Sequence, residues 1–136
     1  AGTLNGNGIA GLGAGVHYLL DQTIEKLSQE TGRISQLFYE EVSKIDDLIV
    51  YGDFSTNQRC PIVSLNLGQR DSAEISDLLS YEYGIATRSG GHCAPLMHEA
   101  LGTKEQGVVR FSLSSFTTEH EIWEAIAALQ KISQKE

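Results

Sequence analysis

The chain has few cysteines, few basic residues and no long apolar run among its 136 residues. Its two cysteines, Cys60 and Cys93, are too few for a disulfide framework and predict a reducing compartment, the cytoplasm. Ten basic residues against 18 acidic ones give a net charge of −8, which argues against nucleic acids and anionic membranes as partners. No stretch has the pattern of a membrane span or a signal peptide.

What is present suits one globular domain, with 40% hydrophobic and 21% charged residues. The chain opens on Ala1 rather than Met, and three of its first eight residues are glycine. Such an opening is typical of a loop that leads into a helix. We interpret the sequence as a piece of a longer protein.

The spacing of apolar residues predicts the secondary structure. It favours a helix from Ile9 to Leu27 that ends by Gly32 and a second helix from Ile34 to Ile45. Four strands and three more helices follow: the strands are expected at 48–51, 62–67, 85–87 and 108–113, and the helices after Asp71 or Ser72, at 96–101 and after Thr118. This order predicts an α+β fold in which helices pack on a small, mostly antiparallel sheet.

The segment Arg88–Pro95, with the sequence RSGGHCAP, carries the clearest chemical signal. It places Cys93 beside His92, just after two glycines that allow unusual backbone angles. A cation and an imidazole near a thiol favour the thiolate, which is the nucleophilic form. We therefore expect Cys93 to be reactive, and the alternative is a surface turn that happens to contain a cysteine.

Three other features have structural interpretations. Cys60 precedes Pro61 at a predicted strand edge, so we expect it to be a partly shielded structural residue. His92, Cys93 and His98 lack further ligands at a suitable spacing, so no metal site is expected. The glycines at 11, 13 and 15 follow no strand, and they predict close helix packing rather than a phosphate-binding loop.

Three segments resemble the NifS-like cysteine desulfurases, which have the class-V aminotransferase fold. They are AGTLN with GIAGLG at 1–5 and 8–13, the loop at 88–95, and GVVRFS with FTTE at 107–112 and 116–119. The segments span nearly the whole chain in the order of that family. Two positions depart from its commoner pattern: Gly91 stands where a histidine is usual, and Ala94 joins Pro95 without an intervening glutamine.

The resemblance implies the C-terminal part of an enzyme of fold type I that uses pyridoxal 5′-phosphate (PLP). Residues 1–30 would be a segment and long helix leading from a missing large domain, and residues 31–136 would be the C-terminal small domain. The Schiff-base lysine would lie in that large domain, since no lysine here has a family-like context. The fragment alone is therefore expected to be inactive.

The resemblance also implies roles for five residues. Cys93 would be catalytic and become a persulfide as L-cysteine is converted to L-alanine, and the sulfur would pass to an acceptor protein. Arg110 would bind the substrate carboxylate, with Arg88 and His92 also at the substrate. Thr3 would bind the cofactor phosphate of the partner subunit in a homodimer. The alternatives are a selenocysteine or cystine lyase, an aminotransferase of the same fold, or a non-enzymatic α+β module with a reactive thiol.

Overall fold

The computed structural model describes residues 2–56 and 59–135, which form five helices and three strands. In chain order these are α1 (Gly6–Gln22), α2 (Ile24–Val42), β1 (Leu48–Tyr51), β2 (Ile62–Leu67), α3 (Ser72–Tyr83), α4 (Pro95–Leu101), β3 (Val109–Ser112) and α5 (Glu119–Ser133). The chain divides into two compact units after Glu30. Within the described ranges, no helix is long and apolar enough to cross a membrane.

The first unit contains α1, which begins at an N-cap. The Asn5 side chain accepts a hydrogen bond of 2.9 Å from the backbone N–H of Gly8 and so binds one of the unpaired amides of the first turn. The predicted break at Gly32 is wrong. The helix breaks at Thr23, where φ is 63°, and α2 then continues through Gly32. A glycine inside a helix costs about 1 kcal/mol, which tertiary packing can offset.

The apolar residues of α1 are exposed in this chain. Ile9, Leu12 and Leu20 are 58%, 71% and 68% exposed, and α1 has no buried residue. A Cβ atom added to any of the glycines at 11, 13 and 15 would meet no described atom within 4 Å. The close helix packing predicted for these glycines is therefore not found among the described residues.

The second unit contains an antiparallel sheet, as the sequence predicts, and the structure gives its strand order as β1–β2–β3. The strand predicted at 85–87 does not form. Gly84 ends α3 in a left-handed conformation, and the N–H of Ile85 then bonds back to the Leu79 carbonyl as part of the helix cap. Only Arg88 reaches the sheet, in a single bridge to Arg110 on the free edge of β3.

The core of the second unit lies between the sheet and its helices. The Phe38 ring of α2 lies 4.9 Å from the Phe111 ring of β3, measured between centroids. Other buried apolar side chains come from β2, α3 and α5 and include Val63, Leu65, Ile75, Leu79, Ile126, Leu129 and Ile132. Burial of this apolar surface stabilises the unit.

The ends of α3 and α5 match the sequence signals. Asp71 accepts a 2.6 Å hydrogen bond from the N–H of Ala73 and caps α3, and Gly84 ends that helix. Thr118 and Glu121 form a reciprocal capping box at the start of α5. These predictions are confirmed.

The second face of the sheet is also partly covered, which the sequence does not predict. Asn66 is a polar residue that alternates with apolar Leu65 and Leu67, a pattern that predicts a solvent-facing position, but it is only 1% exposed. Its Nδ2 donates to the Gly107 carbonyl at 2.9 Å and to the Tyr51 hydroxyl at 3.2 Å. These bonds hold the segment before β3 over the sheet, beside the loop that carries Cys93.

Candidate active site

The loop of Cys93, Arg88–Pro95, is anchored at its base to β3. Arg88 and Arg110 exchange both of their backbone hydrogen bonds, at 3.2 and 2.8 Å. Two residues further along the loop, the Gly90 carbonyl accepts a 3.3 Å bond from the N–H of Val108. The first part of the loop therefore runs beside β3 as a short extension of the sheet.

Two glycines from separate sequence motifs meet at this base. Gly107 has a φ of 66°, and a Cβ atom added there would lie 2.6 Å from the Gly90 Cα and 2.8 Å from the Ser72 Oγ. Contacts of this length are far inside van der Waals separation. Only glycine fits at position 107, because both its backbone angle and its closest neighbour exclude a side chain.

The tip of the loop has a strained backbone. His92 and Cys93 are consecutive non-glycine residues with φ values of 51° and 58°. Such left-handed conformations cost about 1–3 kcal/mol each and persist only where the surroundings hold them. A bond of 2.9 Å from the Ala94 N–H to the Gly91 carbonyl closes the turn, and Cys93 is exposed on it.

His92 lies over the base of its own loop. Its Nε2 is 3.0 Å from the Arg88 carbonyl oxygen, which can only accept, so Nε2 carries the proton. Burial lowers the pKa of His92 below the usual 6.5, the bond to Arg88 opposes this, and the charges of Arg110 and Arg88 lower the pKa further. The ring is therefore uncharged at neutral pH. The positive charges that act most strongly on this ring are those of Arg110 and Arg88.

A second histidine, His98, packs its ring against that of His92, and the sequence does not predict this contact. His98 is 4% exposed and shares a 2.8 Å hydrogen bond between its Nδ1 and the Oγ1 of buried Thr103. Its ring is stacked on that of His92 with centroids 6.0 Å apart. One sequence signal could have indicated the His98–Thr103 bond. Thr103 follows His98 by five residues, and Gly102 between them ends α4 and turns the chain back.

The two arginines at the base, Arg88 and Arg110, make no ion pair with the described part of the chain. Among the described residues, no carboxylate lies within ion-pair distance of Arg88 or Arg110. The Nε of Arg110 is buried and makes no hydrogen bond to the described residues. A buried guanidinium nitrogen without a partner is costly, and an anion bound there would remove that cost. Cys93 and these arginines therefore form one candidate anion-binding and nucleophilic site.

Thr3 lies in a different unit from the other four predicted site residues. Thr3 is exposed and lies in the first unit, in the stretch before α1. The four remaining predicted site residues, Cys93, Arg110, Arg88 and His92, lie together in the second unit. Cys60 is exposed, so the prediction that it is shielded is wrong. In residues 2–56 and 59–135, no group of three histidine, cysteine or acidic side chains could hold a metal ion.

The family of the chain follows from comparison with known proteins. The family model for class-V aminotransferases matches residues 1–124. The chain therefore belongs to the class-V aminotransferase family. Cysteine desulfurases of Pectobacterium atrosepticum and Klebsiella pneumoniae are both 34% identical to it over 97% of its length. The chain spans only 31% of the length of each of these curated relatives, so it corresponds to part of a larger protein.

Solved structures confirm the fold. A cysteine desulfurase from Thermococcus onnurineus NA1 superposes with a TM-score of 0.89 at 23% identity, over 98% of this chain and 32% of that one. The NifS-like protein from Rickettsia africae gives a TM-score of 0.82 at 21% identity, over 99% of this chain and 36% of that one. The α+β architecture predicted from the sequence is that of the corresponding part of these fold-type I proteins.

Proposed function

We propose that the full-length protein is a PLP-dependent cysteine desulfurase that converts L-cysteine to L-alanine and receives the sulfur on Cys93. The observation that carries this proposal is the position of an exposed thiol on a loop whose base holds two arginines, neither of which pairs with a carboxylate in residues 2–56 and 59–135. The curated relatives named cysteine desulfurase support it.

Arg110 is proposed to bind the substrate carboxylate. Its planar guanidinium matches a carboxylate through two parallel hydrogen bonds, and its buried Nε has no other partner among the described residues. Arg88, whose backbone pairs with Arg110 at the base of the loop, is exposed and adds a second positive charge. His92 is proposed to contact the substrate through Nδ1, which keeps its lone pair because the proton is on Nε2.

Cys93 is proposed to take the sulfur directly. Its thiolate attacks the substrate sulfur, so that a sulfur–sulfur bond forms as the carbon–sulfur bond of the substrate breaks. The resulting persulfide is exposed on the tip of the loop. A sulfur-acceptor protein could therefore reach it, and we propose such a protein as the partner. Because the thiol must stay reduced, we propose that the protein acts in the cytoplasm.

The residues present fit the substrate side of a PLP site, because the partnerless nitrogen of Arg110 suits the carboxylate of an amino acid. When bound, PLP supplies the electron sink for the reaction. Thr3 is proposed to reach the cofactor phosphate of the partner subunit in a homodimer. We propose that residues 1–30 lead from a large domain holding the Schiff-base lysine and that residues 31–136 are the small domain. The fragment alone is then inactive.

Three variants of the full-length protein test the proposal. Cys93→Ala should abolish sulfur release from L-cysteine while the absorbance of the cofactor stays unchanged. Arg110→Ala should lower kcat/KM about ten- to a hundredfold, the usual worth of a hydrogen bond to a charged group. Cys60→Ala is the matched control, since Cys60 is also an exposed free thiol but lies outside the loop. This control should keep wild-type kinetics.

Other outcomes would replace the proposal with one of its alternatives. Sulfur release that survives in Cys93→Ala would point to a lyase acting on cystine or selenocysteine. Transfer of an amino group to a keto acid, with no loss of sulfur, would point to an aminotransferase. Failure of the full-length protein to bind PLP would leave a non-enzymatic module with a reactive thiol.

A further inference from the structure

We propose that Ser72 is a positioning residue that fixes the base of the Cys93 loop for sulfur transfer. This inference rests on the desulfurase function proposed above. Ser72 lies at the start of α3, far from Cys93 in sequence, and is 2% exposed. From the sequence alone, Ser72 is only a possible N-cap of α3.

The hydroxyl of Ser72 joins two segments of the site. It donates to the Gln106 carbonyl at 2.7 Å and accepts a 3.2 Å hydrogen bond from the N–H of Gly90. A hydroxyl has one proton, so the bond to Gln106 leaves its lone pairs for Gly90. Both backbone polar groups of Gly90 are then bound, the second by the N–H of Val108.

This hydroxyl has no competing task in α3. Asp71, and not Ser72, accepts the capping bond from the first turn of the helix. The carbonyl that Ser72 contacts is itself held in place, because the Gln106 side chain donates to the carbonyls of Gly68 and Arg70 at 2.9 and 2.7 Å. Ser72 therefore connects the loop to a fixed part of the second unit.

The position of this bond within the loop gives it a consequence for Cys93. Among the described residues, Ser72 is the one side chain outside Arg88–Pro95 that bonds to the backbone of this loop. Gly90 lies between the base paired with Arg110 and the strained tip at Cys93. Release of its N–H would let the tip swing relative to Arg110 while leaving the arginine on its strand.

The experiment uses the full-length protein with Ser72→Ala and a matched control, Ser35→Ala. Ser35 is also 2% exposed, but its Oγ has no hydrogen-bond partner among the described residues. Hydrogen exchange of the Gly90 amide should become about tenfold faster in Ser72→Ala, on the scale of one lost buried hydrogen bond. The kcat for sulfur release should fall by about tenfold, with KM for L-cysteine and cofactor absorbance unchanged.

Several results separate the possibilities. Exchange and kcat in Ser72→Ala that equal those of Ser35→Ala would overturn the proposal, as would a rise in KM with kcat unchanged. If Ser72→Ala does not fold, the wild-type protein still decides: its Gly90 amide must exchange more slowly than that of Gly91, whose N–H has no described partner. Equal exchange at the two glycines overturns the proposal. If the Gly90 amide exchanges faster in Ser72→Ala but neither the wild-type protein nor any variant releases sulfur, the anchoring role of Ser72 is supported. In that case only the desulfurase proposal fails.

Discussion

Replacing Gly107 with alanine tests whether the close approach of two glycines holds the Cys93 loop in place. The added Cβ would lie 2.6 Å from the Gly90 Cα and 2.9 Å from its carbonyl carbon, so the backbone of the loop must move. The φ of 66° adds the cost of a left-handed alanine, about 1–2 kcal/mol. Forcing extra atoms into a packed site costs about 1–3 kcal/mol more. The total is about 2–5 kcal/mol.

Gly102→Ala is the matched control for this prediction. Gly102 has a φ of 69°, nearly the same as Gly107, but a Cβ atom there would meet nothing within 4 Å. Its replacement should cost only the conformational part, about 1–2 kcal/mol. The difference between the two variants therefore isolates the close contacts of the added Cβ atom, which are with the Gly90 backbone and the Ser72 Oγ.

Urea unfolding of the 136-residue chain, followed by circular dichroism, provides the measurement. With an m-value of about 2 kcal/mol/M, Gly107→Ala should lower the midpoint by about 1–2.5 M and Gly102→Ala by about 0.5–1 M. Equal shifts in the two variants would refute the reasoning, because they would mean that the approach to Gly90 carries no energetic weight.

Three further predictions concern the thiols, the loop histidine and the last helix. Alkylation with excess reagent should label both Cys60 and Cys93, since both are exposed, and peptide mapping that finds Cys60 unmodified would contradict its exposure. In an NMR titration His92 should show a pKa below 6.5, because burial disfavours its charged form, and a value above 6.5 would contradict this. The hydrogen bond from the Thr118 backbone lowers the pKa of Glu121, so its contribution to stability should be present above the unfolded-state pKa near 4.5 and be lost as the pH falls through the folded-state value. Glu121→Gln should remove this part of the pH dependence of urea unfolding, and an unchanged dependence would count against the capping box.

The sequence predicts the local features of this fold well. The caps at Asp71, Gly84 and Thr118 depend on residues within a few positions of one another, and all three are found in the structure. The alternation of apolar residues predicts β2 and β3, because one face of the sheet is buried in the core, whereas β1 is predicted from the short apolar run at 48–51. Signals of this kind need no knowledge of the tertiary fold.

The errors arise where one residue or a distant partner decides the conformation. The apolar stripe of α1 continues past Thr23, so the break there has no periodic signal. Asn66 resembles a solvent-facing strand residue until Gly107, 41 positions away, accepts its hydrogen bond. Ser72 and Gln106 are 34 positions apart and could not be paired from the sequence. The site residues came from the family resemblance, whereas the contacts that support them came from the structure.

Arg110 has an observed structural task and a proposed binding task, and the separation of the two decides how its variants should be interpreted. Its backbone N–H and carbonyl are both bonded to Arg88, so its contribution to the base of the loop comes from the backbone and not from the side chain. Its guanidinium Nε has no partner among the described residues, and the proposed role of the guanidinium is to bind the substrate carboxylate. Arg110→Ala keeps the backbone pair and removes only the side chain. A loss of kcat/KM in that variant, with unchanged exchange of the Arg88 amide, would therefore report substrate binding rather than a displaced loop.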